Sequence, residues 1–228
     1  MKKIFIPVIL SVMTLFTAAQ QNISGTYGYK IKVQGTPSKT EKITGPTGKL
    51  VLLKMEGNKY RFWLDVTVGA PSYNAGETDG TITFVNDTAS FDNTFEGATQ
   101  SCILKFKITN NIIRINSQSS SYNCGFGNGV TADGNYIKKK TQPLINNAWL
   151  KKEYHESPTM IITAKKAEIF QDENCLHSLP QKEYFVKGEK ILNISETGKA
   201  IYTEFITPTG KFLYGWLKKT DLTTLTAE

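Results

Sequence analysis

YFVKGEKILNISETGKAIYTEFITPTGKFLYGWLKKTDL, residues 184–222, alternates apolar runs with glycines and polar turns. Its apolar residues come in short runs: Tyr184-Phe185-Val186, Ile191-Leu192, Ile201-Tyr202, Phe205-Ile206, Phe212-Leu213-Tyr214 and Trp216-Leu217. Each run is strand-sized and none continues far enough for a helix. Gly188, Gly198 and Gly210 punctuate them, and Pro208-Thr209-Gly210 reads as a tight turn between two strands. An earlier strand is expected over Ile162 to Phe170, with Lys165-Lys166 at its middle or in a bend. The alternation predicts a small all-β domain of five or six strands. Closing it into a barrel removes the unpaired edges that invite aggregation.

The same residues resemble the bacterial SH3-like (SH3b) family. The likeness lies in the Tyr184 to Ile191 strand pair with its Lys187-Gly188-Glu189 turn, and in the closing run Gly215-Trp216-Leu217 to Asp221-Leu222. It covers about the last third of the chain. It implies a small barrel over residues 158–228 that binds a cell-wall polymer or a protein. Tyr184, Tyr202 and Tyr214 are then the candidate ligand contacts, since aromatic rings offer large contact area with a polar tip. Trp216 is expected in the core.

Upstream, a second all-β unit is expected over residues 20–140. Candidate strands are Gly25 to Val33, Leu50 to Met55, Tyr60 to Val68, Gly80 to Val85, Thr88 to Phe95, Ser101 to Ile108, Ile112 to Ser117 and Gly134 to Ile137. The alternation is clean where it matters. Tyr60, Phe62, Leu64 and Val66 share one face, and Arg61, Trp63, Asp65 and Thr67 share the other. Gly57-Asn58, Asp79-Gly80, Asn110-Asn111 and Asp133-Gly134 fall where tight turns are needed. About eight consecutive strands with short links predict an antiparallel up-and-down barrel or a curled meander. Three motifs, Pro71 to Gly76, Cys102 to Phe106 and Cys124 to Tyr136 (CGFGNGVTADGNY), resemble an uncharacterised exported β module of bacteria. Residues 141–157 are expected to link the units, with a helical turn or two near Trp149 and Tyr154.

Residues 1–19 pair Lys2 and Lys3 with an apolar run from Ile4 to Phe16 and end in Thr17-Ala18-Ala19. That is the pattern of a secretory signal peptide, and the run is shorter than the roughly 20 residues of a membrane span. The protein is therefore expected to be exported, periplasmic or extracellular, with no stable membrane insertion. The formal net charge is +7, of which Lys2 and Lys3 contribute two. This mild basicity suits solubility, or attraction to an anionic envelope polymer. Only Arg61 and Arg114 supply guanidinium groups, which speaks against nucleic acid.

An oxidising compartment makes disulfides available. Of the three cysteines, Cys102 and Cys124 bracket a predicted hairpin and are expected to bond, leaving Cys175 free. Cys175 and His177 stand only two apart, in a turn, and a Cys–His peptidase needs its nucleophile at a helix start and a distant histidine. Two histidines and three cysteines fall into no paired-ligand spacing for zinc. Cys124 to Val130 precedes no helix and lacks Gly-Lys-Ser/Thr, which excludes a phosphate loop. No catalytic residue, metal site or cofactor is expected. The reading is an exported, non-catalytic binding protein of the bacterial envelope or exterior. The alternative is an inhibitor or immunity factor that plugs a hydrolase such as a lysozyme or peptidase, using the loop Ala70 to Thr78 with Tyr73 at its tip.

Overall fold

The computed structural model describes residues 22–30, 45–94, 100–179 and 183–225. The expected signal peptide, and the outer ends Val33 and Phe95 of two expected strands, lie outside the described residues.

The chain is all-β. The first unit comprises β1 (Gly25–Lys30), β2 (Thr47–Lys54), β3 (Lys59–Thr67), β4 (Ala75–Thr83), β5 (Thr88–Asn93), β6 (Cys102–Thr109), β7 (Ile112–Ser117) and β8 (Gly134–Lys138). They form one antiparallel sheet in the order β4-β3-β2-β1-β8-β7-β6-β5. The sheet curls until β8 pairs with β1, Tyr27 opposite Lys138 and Gly28 opposite Ile137. The barrel is not fully closed: β4 and β5 are joined by a turn and share only the Val85–Thr88 bridge.

Beyond the Val85–Thr88 bridge, aromatic side chains fill much of that seam. A Cβ on Gly80 would stand 2.4 Å from the Phe91 ring, and one on Gly76 would stand 2.4 Å from Phe126. Glycine at these two positions lets a ring lie flat against the β4 backbone. The interior holds Leu50, Leu52, Tyr60, Phe62, Leu64, Phe84, Leu104, Phe106, Ile115 and Tyr136, all essentially without solvent contact. Phe62 meets Phe91 edge-on at 5.0 Å, a preferred aromatic geometry. Cys102, which opens β6, is bonded to Cys124, as the sequence suggested. Cys124 ends a 3-10 turn, Ser121–Cys124. The bond holds the loop that carries Phe126 into the barrel end.

Part of the turn-rich run Ala70 to Thr78 is strand, because β4 begins at Ala75. Gly76 and Thr78 point inward opposite Val66 and Leu64. The true loop is shorter than its composition implies and ends at Asn74.

The second unit is built from short strands: β9 (Thr159–Ile162), β10 (Lys166–Glu168), β11 (Tyr184–Val186), β12 (Lys190–Leu192), β13 (Ser195–Glu196), β14 (Ala200–Ile206), β15 (Phe212–Lys218) and β16 (Leu222–Thr224). They make three small antiparallel sheets, β10-β11, β12-β9-β16 and β13-β14-β15. Ile162, Ala167, Ile169, Phe185, Ile191, Ile201, Leu213 and Leu217 form their common core. Between the units runs α1 (Asn147–Glu153), capped by Asn146, whose side chain accepts from the Trp149 amide.

A third apolar cluster crosses between the two units. Val51 and Trp63, on the outside of the barrel, pack with Leu150 of α1 and with Leu192 and Ile206 of the second unit. All five are buried, and burying each aliphatic side chain is worth about 1.5–3 kcal/mol. The Trp63 ring is edge-on to Trp149 at 5.0 Å and to Phe212 at 6.2 Å. Asn147 fastens the helix from both sides. Its side chain donates to the Ile206 carbonyl at 2.9 Å and accepts from the Ile206 amide at 2.7 Å.

Candidate functional site

The β2–β3 hairpin tip, Met55 to Asn58, reaches past the barrel toward the second unit. Its backbone is closed by Met55 N–H to Lys59 at 2.9 Å and Lys59 N–H to Glu56 at 3.0 Å, with Gly57 at φ +58°. Opposite the tip stands the sheet β13-β14-β15. Alternation there sends Leu213 and Leu217 inward to their own core and Phe212, Tyr214 and Trp216 outward. Between these two surfaces lies a cleft of about 580 Å³, lined by Met55, Lys59, Phe170, Leu179, Tyr202 and Tyr214 among others. A smaller hollow of about 240 Å³ adjoins it past Tyr214 and Leu179 and ends at Glu183 and Lys211, which pair with one another.

Of the four tyrosines singled out by sequence, the fold brings two together. Tyr202 and Tyr214 both line the cleft. Tyr202 is half-buried, with its ring against Trp216 at 5.5 Å. Tyr214 stacks on Phe212 at 5.6 Å. Burial and the nearby Glu56 carboxylate push its phenol above the ordinary range. Tyr184 lies elsewhere, on β11, with the Lys166 ammonium 4.2 Å from its ring centre. Tyr73 lies on the barrel unit, 63% exposed, between β3 and β4.

Trp216, expected in the core, is only half-buried. Its backbone is the more constrained part: it exchanges hydrogen bonds with Phe170 in both directions, at 2.8 and 2.9 Å. Gly215 beside it explains the close approach, since a Cβ there would stand 2.6 Å from the Phe170 carbonyl oxygen.

Next to the cleft is a polar network that sequence reasoning missed. Glu204 lies on β14 and is 1% exposed. Its carboxylate accepts from the Tyr154 hydroxyl at 2.8 Å and from Tyr202 at 3.4 Å. The Arg61 Nε stands 2.7 Å from it, an ion contact without the alignment of a hydrogen bond. Arg61 Nη2 donates to Tyr154 at 2.6 Å and to Asp79, and Trp63 Nε1 donates to the same Tyr154 oxygen at 3.1 Å. Burial pushes the Glu204 carboxyl up, against the opposing pull of Arg61 and Tyr154. Through Tyr154 the network joins Arg61 on β3 to Glu204 on β14, and so links the two strands that carry the walls of the cleft.

Cys175 and His177 sit in a loop organised by Asp172. Its carboxylate accepts from the backbone of Asn174, Leu176 and His177 and meets His177 Nδ1 at 3.1 Å. Burial pushes the Cys175 thiol up, the opposite of what an activated nucleophile requires. Among the described residues no group of three or more His, Cys, Asp or Glu could hold a metal ion, and no helix is long and apolar enough to cross a membrane.

No family model, curated protein or solved structure matches this chain.

Proposed function

We propose that this is an exported, non-catalytic binding protein of the bacterial envelope or exterior, with an SH3-like second unit. Its ligand seat is the cleft between hairpin tip and β14–β15. The observation that carries this is the convergence of Tyr202 and Tyr214 with Phe170, Leu179 and Met55 on one open concavity. Aromatic and methionine surfaces beside a few polar groups suit a glycan or peptide strand.

Peptidoglycan sacculi are the first probe. Tyr214→Ala in the full-length chain should weaken sacculus binding about tenfold, the cost of one hot-spot aromatic. Its circular dichroism should stay that of the parent. Unchanged affinity would remove the cleft from consideration. Tyr202→Ala should weaken binding as well, but it also strips the edge contact from Trp216 and so tests less cleanly.

Because the walls come from different units, neither unit alone should bind. A fragment ending at residue 140 lacks β14–β15, and one beginning at residue 158 lacks the hairpin tip. Isothermal titration of each fragment against the same sacculi checks this. Parent-like affinity in either fragment would place the seat within that unit.

One observation favours the inhibitor reading as a second possibility. Tyr73 and Tyr122 are 63% and 64% exposed, and Asn128 is bonded by Tyr122 and by Asn74, the residue after Tyr73. The Tyr122 hydroxyl meets its side chain at 3.1 Å, and the Asn74 side chain donates to its carbonyl at 2.7 Å. Two displayed rings on a disulfide-held rim form a surface that a hydrolase cleft could receive. Inhibition assays with lysozymes and peptidases, with Tyr73→Ala as the control, test it.

A further inference from the structure

The outside of β5, β6 and β7 carries a charge pattern that folding alone does not favour. Lys107 on β6 stands directly opposite Arg114 on β7. Directly opposed cross-strand side chains have Cβ atoms about 4.5–5.5 Å apart, and like charges so placed repel. Lys105 follows one pleat along β6, on the same face, about 7 Å away. Among the described residues no carboxylate pairs with Lys105, Lys107 or Arg114. Asp92, an exterior acid along β5, forms no ion pair among the described residues.

These cations line a shallow hollow of about 500 Å³ together with Thr83, Thr88, Ser90 and Asn116. Thr88 faces Lys107 across the strands, and Ser90 faces Lys105. Lys105 donates to the Ser90 hydroxyl at 2.9 Å, and Arg114 Nε donates to Asn116 at 3.3 Å. Donors from three neighbouring strands thus converge around an opposed pair of positive charges.

We propose that this hollow is a binding surface for a phosphate-bearing polymer. A tetrahedral phosphate presents oxygens in several directions, so Lys107 and Arg114, opposed across the strands, can each donate to one group. A planar carboxylate is already satisfied by the Arg114 fork alone. Lys105, one pleat further along, extends the surface in the strand direction, as a chain of phosphates requires and a single ion does not. The lining holds no exposed aromatic ring, so bases would find nothing to stack on. A non-nucleic polyphosphodiester therefore fits better than DNA or RNA. The surface lies on the barrel and is independent of the tyrosine cleft.

The test uses the full-length chain and immobilised poly(glycerol phosphate). Polygalacturonate, heparin and a single-stranded oligonucleotide serve as competitors, and inorganic phosphate as the monomeric control. The expected result is salt-sensitive binding to poly(glycerol phosphate), tighter than to any competitor and far tighter than to free phosphate. Lys107→Gln with Arg114→Gln should lower affinity at least tenfold and flatten the salt slope by about 2, one for each lost phosphate contact. Lys151→Gln with Lys152→Gln removes the same two charges from α1 and should change affinity less than twofold. The Lys107/Arg114 variant should melt at or above the parent's temperature in low salt, which shows that it folds and that the repulsion was real. Tyr214→Ala should leave phosphate binding intact, so failure of the cleft and failure of this surface are distinguishable. Equal losses in both double variants would reduce the effect to net charge. Absence of binding to poly(glycerol phosphate), or tighter binding of polygalacturonate, heparin or the oligonucleotide, would overturn the proposal.

Discussion

Arg61→Met should lower the stability of the chain by about 3–5 kcal/mol at neutral pH, the cost of leaving a buried charge without its partner. The uncompensated group is Glu204, which has no solvent to turn to. In the parent its charge faces the Arg61 guanidinium at 2.7 Å and the Tyr154 hydroxyl at 2.8 Å. The substitution removes the only cation of the network and leaves the apolar stem in place. The pH dependence identifies the cause. Burial already holds the Glu204 carboxyl above its ordinary range against the pull of Arg61, so losing Arg61 lets it rise further. A carboxyl whose folded pKa is raised contributes stability that is fully present below the unfolded value, about 4.3. That contribution is lost as pH rises through the folded value. The variant's deficit should therefore be small near pH 4 and grow toward pH 7, as read by urea denaturation at each pH. A deficit that is flat over this range would mean that Arg61 acts through packing alone. Replacing both partners, Arg61→Met with Glu204→Leu, should recover most of the loss, because a buried pair exchanged for apolar residues is often neutral. Recovery in the double variant would show that the pair adds little stability of its own.

How far the sequence reached follows from which contacts are local. The barrel was legible because its strands are long and one face of each is buried. Tyr60, Phe62, Leu64 and Val66 alternate with Arg61, Trp63 and Asp65, and the register of β3 obeys that pattern. Trp63 stands opposite Val51 on the outside of the sheet, and a tryptophan beside a valine on an outer face needs a cover. Its cover comes from Leu150, Leu192, Ile206 and Phe212, residues far along the chain, and no periodicity records such a meeting. The Arg61–Glu204 pair is of the same kind. A lone arginine on a strand exterior reads as a solvated charge until the second unit arrives.

The second unit was harder for a different reason. Its strands run to as few as two or three residues, too short to show a period. In β15 the apolar residues occupy both faces, Leu213 and Leu217 toward their own core and Phe212, Tyr214 and Trp216 toward the barrel and cleft. A run that is apolar on both faces signals double burial, but it does not separate a ring that packs from a ring that binds. Sequence alone therefore groups Tyr202 and Tyr214 with Tyr184, and the fold sets Tyr184 apart.

Breaking the disulfide should produce the second large effect. Cys102→Ala with Cys124→Ala removes a cross-link spanning 22 residues. On the chain-entropy estimate this costs about 3 kcal/mol, within the 2–5 kcal/mol typical of small exported domains. For a chain of this size that corresponds to a fall in the unfolding midpoint of about 6–12 °C. The loss should be spatially uneven. The cross-link anchors the segment through which Phe126 covers Gly76, Gly127 N–H bonds the Ala75 carbonyl at 3.0 Å, and Asn128 receives the Asn74 side chain. These contacts sit where β4 lacks a paired neighbour strand along most of its length. Hydrogen exchange should therefore quicken first at Gly127 and along the β4 side of the seam, and least at β1 and β2, which are paired on both sides. A reductant should lower the parent's midpoint toward that of the double alanine variant and leave the variant unmoved. If the reductant shifts both equally, or exchange quickens uniformly around the barrel, then the bond does not brace the seam, and the open β4 edge is held by Phe91 and Phe126 packing alone.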